Sequence, residues 1–178
     1  GLPIRLSVNV SALEFRQPDF VQRVTQVLEA EGLPSKLLEL ELTETILLQD
    51  AHEMELRLQA LAELGVGLVI DDFGTGYSSL AYLKKLPIHK LKIDQSFVRG
   101  LPHDEGDRAI VGAIVHMGRA LRIEVVAEGV ETEVQRAALE ELDCHQYQGF
   151  LCAPGLPPQA FRELLEQRGV QSDEVCEG

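Results

Sequence analysis

Short apolar runs alternate along this chain with longer segments whose apolar residues recur every three or four positions. The short runs predict β-strands and the longer segments predict amphipathic helices. The predicted strands are Ile4 to Val10, Leu37 to Leu42, Val66 to Ile70, Lys90 to Ile93, Ile123 to Ala127, and a short strand or loop at Tyr147 to Leu151. The predicted helices begin near Pro18, Ala51, Leu80, Asp107, Thr132 and Pro158. Short strands that alternate with helices are typical of parallel β/α units.

Two of the predicted helices have a well-defined apolar face. The helix after Pro18 is expected to bury Phe20, Val24, Val27 and Leu28. The helix from Asp107 to Leu121 is expected to bury Ile110, Ile114, Val115 and Met117. Both sets follow the helical period, so each helix is predicted to pack one side against a sheet.

Nearly every predicted strand carries a polar residue at its C-terminal end. These residues are Asn9, Glu41, Asp71, Asp72, Lys92, Asp94, Glu128 and Gln148. In a β/α barrel all such ends open on one face, where the chemistry of barrel enzymes takes place. An open doubly wound sheet would instead concentrate function at one switch point. The spread over so many strands favours a TIM-like (β/α) barrel with an active site at that face.

The stretch LVIDDFGTGYSSL places two adjacent carboxylates, Asp71 and Asp72, after an apolar run and before a glycine-rich turn. The strand is expected to stop at these carboxylates, and Ser78 or Ser79 is expected to cap the next helix. Neighbouring carboxylates repel each other, and a bound cation is the simplest reason for keeping them together. The alternative is one capping aspartate beside one exposed aspartate.

Length, net charge and cysteine content limit the kinds of protein that this sequence can encode. The 178 residues, 45% of them hydrophobic, are enough for one sizeable core. The formal net charge of -13 argues against duplex nucleic acid as a partner. The three cysteines lack metal-binding spacing and indicate reduced thiols in a cytoplasmic protein. No apolar run is long enough for a membrane span, and the acidic segment 169–178 is predicted to be a disordered tail after a domain at 1–168.

The candidate ligands are rich in oxygen and include no histidine or cysteine cluster. Such a set suits Mg²⁺ or Mn²⁺ better than structural zinc. Adjacent aspartates could hold two ions a few ångströms apart, an arrangement used in the hydrolysis of phosphate esters. Lys92 could orient a nucleophilic water or stabilise developing negative charge, or it could simply pair with Asp94. A different reaction that would use the same residue types is enolate chemistry in a Mg²⁺-dependent barrel with a lysine as base.

Several motifs, in order, resemble those of a known family. They are SVNVS at 7–11, ELTET at 41–45, DDFGTGYSSL at 71–80, KIDQSF at 92–97, AEGVET at 127–132 and QGF at 148–150. Together they are similar to the motifs of EAL domains, which are bacterial phosphodiesterases that linearise cyclic di-GMP to pGpG. The resemblance covers about residues 4–167 and implies a modified β/α barrel.

The resemblance also implies a role for each candidate residue. The metal ligands would be Asn9, Glu41, Asp71, Asp72 and Glu128, holding two Mg²⁺ or Mn²⁺ ions. Lys92 would contact the nucleophilic water, with Asp94 as its acidic neighbour. Glu128 would alternatively be the general base, and Gln148 a further polar residue of the site. Glu44 and Glu131 resemble the glutamates that hold the loop 73–79, which is implicated in binding substrate and metal and in coupling a dimer.

One motif of the family is missing from the sequence. EAL domains take their name from a Glu-Ala-Leu motif on the first strand, whose glutamate binds metal, and no such tripeptide occurs here. The expectation is therefore a barrel lacking its N-terminal β/α part: either the sequence is a piece cut from a longer one, or a partner chain fills the open edge. The resemblance further implies a homodimer, fused sensor or GGDEF-type domains, and a cytoplasmic location with possible tethering to the inner membrane. The alternative function is a catalytically inactive module that binds cyclic di-GMP.

Overall fold

The computed structural model describes residues 4–48, 51–76 and 80–168. Its strands are β1 Leu6–Val10, β2 Leu38–Thr43, β3 Gly67–Phe73, β4 Lys90–Ile93, β5 Glu124–Ala127 and β6 Gln146–Tyr147. Its α-helices are α1 Ala12–Phe15, α2 Phe20–Glu31, α3 Ala51–Glu63, α4 Leu80–Leu83, α5 Gln95–Arg99, α6 Glu105–Leu121, α7 Glu133–Glu141 and α8 Pro158–Arg168. Short 3-10 helices lie at Ser35–Leu37 and Glu44–Leu48.

The six strands form one sheet in chain order, from β1 to β6. The pairs β1–β2, β2–β3 and β5–β6 run parallel. Parallel neighbours need a crossover between them, and a helix provides it after nearly every strand. The predicted alternation of strands and helices is confirmed. The described chain divides into two compact units, one with residues 4–92 and 118–124 and the other with 93–117 and 125–168.

In the first unit, the core forms between the sheet and α3. Leu40, Leu42, Leu68 and Ile70 on β2 and β3 are at most 3% exposed. Leu58 and Leu61 of α3 are completely buried beside them. Each fully buried leucine contributes about 2 kcal/mol through the hydrophobic effect. This packing fixes β2 and β3 side by side, with Glu41 opposite Val69 and Thr43 opposite Asp71.

The strand β1 lies at one edge of the sheet, and only its last residue, Val10, is buried. An apolar groove of about 470 Å³ lies between β1 and α2. Its lining includes Leu6, Val8, Val24 and Val27. The edge of the sheet is therefore both apolar and open to solvent at β1.

In the second unit, α6 and α7 contribute to the core together with β5. Val111, Ile114 and Val115 of α6 are at most 6% exposed. Thr132 caps α7 as predicted, accepting from the Gln135 amide while the Gln135 side chain accepts from Thr132. This reciprocal cap fixes the point at which the chain leaves β5 and enters α7.

Three predictions about the elements need correction. Val27 is 61% exposed, because it lies on the open groove beside the edge strand. Ile110 is 39% exposed, because the buried stripe of α6 runs through Val111 instead. The strand β3 does not stop at the two aspartates but continues to Phe73, since β2 still pairs with it at Asp71.

The short helices α1 and α5 were not predicted from the sequence, because four or five residues do not establish a period. The proposed caps Ser78 and Ser79, and the predicted tail 169–178, lie outside the described residues. None of the helices in the described parts of the chain is both long and apolar enough to cross a membrane.

Candidate active site

A buried lysine joins the predicted site residues of the first unit. The Lys92 ammonium lies 3.0 Å from Glu41 Oε2 and 3.5 Å from Asp71 Oδ1. Lys92 is 4% exposed and Glu41 is 6% exposed, so both charges are largely removed from water. Asn9 lies directly opposite Glu41 in the register of β1 and β2. The ends of these strands therefore bring Asn9, Glu41, Asp71 and Lys92 to one region, as the sequence predicts.

Asp71 and Asp72 form an acidic pair at the end of β3. Their carboxylates each offer an oxygen within 4.8 Å of the other. Asp72 has a left-handed backbone, with φ of 53°, and its amide donates to Asp71 Oδ1 at 3.1 Å. Aspartate adopts this conformation more readily than most residues, and here the sharp turn brings two consecutive side chains near each other. Carboxylate oxygens at this spacing suit a hard divalent cation.

The buried carboxylate of Glu44 holds the loop that follows β3. Its Oε2 accepts from the Gly74 amide at 3.1 Å and from the Gly76 amide at 3.0 Å. A Cβ at Gly76 would lie 2.8 Å from the Glu44 Cδ, so a glycine there lets the backbone approach the carboxylate. The Thr75 hydroxyl donates to the Asp72 carbonyl at 2.9 Å and ties the loop to the acidic pair.

Removal of the Glu44 carboxylate is expected to loosen this loop. In Glu44→Ala, the amides of Gly74 and Gly76 lose a charged acceptor, so their hydrogen exchange should accelerate about tenfold or more. Exchange read by NMR or mass spectrometry measures the effect. The exposed Glu63→Ala serves as the control and should leave these amides unchanged. Unaltered exchange at both glycines in Glu44→Ala would show that other contacts hold the loop.

In the second unit, Glu128 and Gln148 are in contact. The Gln148 side-chain amide donates to Glu128 Oε1 at 2.6 Å. The backbone places them, because the Gln148 amide donates to the Ala127 carbonyl and the Glu128 amide donates to the Ile93 carbonyl. Asp94, which follows Ile93, caps α5 by accepting from the Ser96 amide at 2.8 Å. The Glu131 amide donates to Gln135 Oε1, at the start of α7.

A second buried ion pair lies two residues before the first along the same strands. Lys90 Nζ donates to Glu39 Oε2 at 2.9 Å, and Arg5 donates to Glu39 Oε1 at 2.7 Å. Glu39 is 5% exposed and Lys90 only 1%. The sequence motifs indicate no role for this pair. The spacing along the strands nevertheless indicates this pair. Glu39 and Lys90 are each two residues before a predicted site residue, so their side chains point to the same face of the sheet.

This second pair gives folding stability a dependence on pH. Burial alone would raise the pKa of Glu39, but hydrogen bonds from Lys90 and Arg5 outweigh it and hold that pKa below its ordinary value of 4.5. A carboxyl whose pKa is lowered by folding stabilises the protein fully above its unfolded pKa. That contribution is lost as the pH falls through the folded pKa.

Comparison of the wild type with Glu39→Gln tests this dependence. At neutral pH the substitution is expected to reduce the free energy of unfolding by about 3 kcal/mol, because it breaks a buried ion pair. Below about pH 4.5 the difference between the two proteins should begin to shrink, because Glu39 then takes up a proton in the unfolded wild type, and it should vanish once the pH is below the lowered pKa of the folded state. Urea denaturation across this range measures both values. A difference that stays constant down to strongly acidic pH would contradict the assignment.

Comparison with known proteins decides the family. The profile of the EAL domain family matches residues 1–155, most of the chain. The chain belongs to the EAL domain family. MucR of Pseudomonas aeruginosa, a bifunctional diguanylate cyclase/cyclic di-GMP phosphodiesterase, is 47% identical over 154 residues, which are 86% of this chain and 22% of MucR. NbdA of the same organism, a cyclic di-GMP phosphodiesterase, is 45% identical over 162 residues, 91% of this chain and 21% of NbdA. This EAL chain spans about a fifth of the length of these relatives.

Solved structures of EAL domains agree with the fold. The MucR phosphodiesterase in complex with c-di-GMP matches with a TM-score of 0.85 and 46% identity, covering 88% of this chain and 64% of that one. A manganese and cyclic di-GMP complex of BlrP1 from Klebsiella pneumoniae matches with a TM-score of 0.76 and 35% identity, covering 83% of this chain and 38% of that one. EAL domains have a TIM-barrel fold, so the predicted fold class is confirmed.

Proposed function

We propose that this EAL domain hydrolyses cyclic di-GMP to linear pGpG with the help of divalent cations. Membership of the family supports the reaction, and two phosphodiesterase relatives are 45% and 47% identical to this chain over the aligned residues. The observation that carries the proposal is the buried Lys92, held between Glu41 and Asp71 where three strands end. A lysine paired in this way can act on a phosphate or a water without leaving its carboxylates.

The residues of the chain suit a divalent cation. Asp71 and Asp72 offer two neighbouring carboxylate oxygens, and Glu41 and Asn9 add further oxygen donors on adjacent strands. We propose that these residues and Glu128 hold two Mg²⁺ or Mn²⁺ ions. The manganese and calcium complexes of BlrP1 with cyclic di-GMP support a divalent ion in this family. When bound, such ions lower the pKa of water and neutralise charge on the phosphate.

The protein's own groups have distinct tasks in this reaction. Lys92 holds the attacking water in line and stabilises negative charge that develops on the phosphate. Gln148 fixes the orientation of the Glu128 carboxylate through a 2.6 Å hydrogen bond. As the alternative to binding metal, Glu128 accepts the proton that the attacking water loses. Glu44 keeps the loop at Gly74 and Gly76 in one conformation beside the acidic pair.

Incubation of the purified chain with cyclic di-GMP tests the proposal. Chromatography should show pGpG when Mn²⁺ or Mg²⁺ is present and none when a chelator removes the metal. A chain that binds cyclic di-GMP and releases no pGpG with either ion would instead be a binding module. The absence of a Glu-Ala-Leu tripeptide from the 178 residues is the one sequence feature that favours that alternative.

Metal binding can be tested separately from turnover. Mn²⁺ at a hundred times its dissociation constant should stabilise the folded chain by about 2.7 kcal/mol, which raises Tm by roughly 5–10 °C. In Asp71→Asn this increase should be lost, because one of the two neighbouring carboxylates no longer carries charge. Asp19→Asn, at an exposed site on the first unit, should retain it. An equal rise in Asp71→Asn would place the metal elsewhere.

Membership of the EAL family also suggests partners and a cellular location for this protein. We propose a homodimer, fused sensor or GGDEF-type domains in the whole protein, and a cytoplasmic location for this domain. The combination of diguanylate cyclase and phosphodiesterase in MucR supports the fused arrangement. Light scattering on the purified chain would report the oligomeric state directly.

A further inference from the structure

The two buried ion pairs form two layers of the same kind. Glu39 and Glu41 are two residues apart on β2, and Lys90 and Lys92 are two residues apart on β4. The lower layer consists of Glu39 and Lys90, and the Lys90 ammonium lies 2.9 Å from the Glu39 carboxylate. The upper layer consists of Glu41 and Lys92, and the Lys92 ammonium lies 3.0 Å from the Glu41 carboxylate. Residues two apart on a strand lie about 7 Å from each other and face the same way. An extended lysine side chain can therefore reach the carboxylate of the neighbouring layer.

The glutamate of the lower layer lies against a glycine of β3, the strand between β2 and β4. Gly67 of β3 lies opposite Glu39 in the register. A Cβ at Gly67 would lie 2.8 Å from the Glu39 Cγ, so the missing side chain makes room for the carboxylate. In the upper layer the corresponding residue of β3 is Val69, which lies opposite Glu41 and is 1% exposed. The Glu39 side chain thus fills the space that a side chain at position 67 would take, and this contact fixes where the lower carboxylate lies.

We propose that Lys90 is a positioning residue for Lys92. Glu39 is the only other carboxylate of β2 that faces the same way as Glu41 and lies within reach of Lys92. Because Lys90 forms an ion pair with Glu39, that carboxylate does not compete for Lys92. The Lys92 ammonium then stays with Glu41 and Asp71, where the proposed hydrolysis needs it. This inference rests on the proposed function for its effect on turnover, and on geometry alone for the location of Lys92.

Removal of the Lys90 charge should release this constraint. Glu39 would keep Arg5, which is half-exposed, but would lose its buried cation. With only the half-exposed Arg5 left to offset its charge, the buried Glu39 carboxylate would attract a second cation, and Lys92 is the buried lysine two residues further along β4. Lys92 is then expected to turn toward the Glu39 carboxylate and to leave Glu41.

The test compares Lys90→Met with the double variant Lys90→Met, Glu39→Gln. In the single variant, turnover at saturating cyclic di-GMP should fall about 10- to 100-fold with KM within about twofold of the wild type. In the double variant, Glu39 no longer attracts Lys92, and turnover should return to within about threefold of the wild type. A merely structural role for Lys90 would make the double variant no better than the single one. That result, or full turnover in Lys90→Met, would overturn the proposal.

Crystal structures supply a readout that does not depend on activity. In Lys90→Met the Lys92 ammonium should contact Glu39, and in the double variant it should contact Glu41. Lys92 still seated on Glu41 in Lys90→Met would overturn the proposal. If Lys90→Met does not fold, Lys90→Gln takes its place, because its amide still donates to Glu39 without the charge. If the wild type releases no pGpG, the proposed function fails, while the location of Lys92 still decides this inference.

Discussion

Replacement of Lys92 by methionine is expected to reduce hydrolysis of cyclic di-GMP at least about 1,000-fold. Lys92 is the cation that the fold buries between Glu41 and Asp71, at 3.0 and 3.5 Å. In the proposed reaction its charge stabilises the transition state more than the bound substrate, so the loss should appear in kcat. Methionine fills a similar volume and preserves the packing of β4, which confines the change to charge and hydrogen bonding.

Steady-state kinetics with Mn²⁺ measure this loss, and Lys85→Met is the matched control. Lys85 is an exposed lysine of the same unit, and its substitution should leave kcat and KM unchanged. Lys92→Arg separates charge from shape, since arginine keeps the charge but spreads it over a planar group. Turnover in Lys92→Met within tenfold of the wild type would remove Lys92 from the reaction.

The same substitution should alter stability in a way that depends on metal. Without metal, Lys92→Met leaves the buried Glu41 without its cation, and the free energy of unfolding should fall by about 3–5 kcal/mol. Divalent cations can then neutralise Glu41 and Asp71 in place of the lysine. Mn²⁺ should therefore raise Tm by more in Lys92→Met than in the wild type. An equal or smaller rise would mean that the ions bind away from Glu41 and Asp71.

The strands and their polar ends could be predicted from the sequence because both are local features. The strand at Lys90 to Ile93 is found where its apolar pattern predicts it. Gly32, which ends α2 in a left-handed conformation, is a local signal of the same kind. The convergence of Glu41, Asp71 and Lys92 followed from one topological rule, that parallel strands present their C-terminal ends on one face.

Other features depend on contacts that the sequence does not specify. The buried pair of Glu39 and Lys90 is separated by 51 residues and requires the register of three strands. The exposure of Val27 depends on how little of β1 is covered at the edge of the sheet. The contact of Glu44 with Gly74 and Gly76 depends on the path of a loop whose glycines fit many turns. In each case the tertiary arrangement, rather than the local pattern, decides the outcome.

Replacement of Gly149 by alanine is expected to lower the free energy of unfolding by about 3–5 kcal/mol. Gly149 has φ of 149°, a conformation that side chains rarely adopt. A Cβ there would lie 2.3 Å from the Val130 carbonyl oxygen and 2.4 Å from its nitrogen. Val130 is completely buried and exchanges backbone hydrogen bonds with Gln148 and Leu151, so it cannot move aside.

Gly149→Ala should affect catalysis as well as stability, because Gln148 is the preceding residue. A shift of this backbone by about 1 Å would break the 2.6 Å hydrogen bond from Gln148 to Glu128, and kcat should fall about 100-fold. Thermal unfolding and steady-state kinetics measure the two effects, with a Tm lower by roughly 6–20 °C. Gly155→Ala is the matched control, because a Cβ at Gly155 would meet nothing within 4 Å, and both values should stay near those of the wild type. If Gly149→Ala were as stable and as active as Gly155→Ala, the packing of Gly149 against Val130 could not be what places Gln148 beside Glu128.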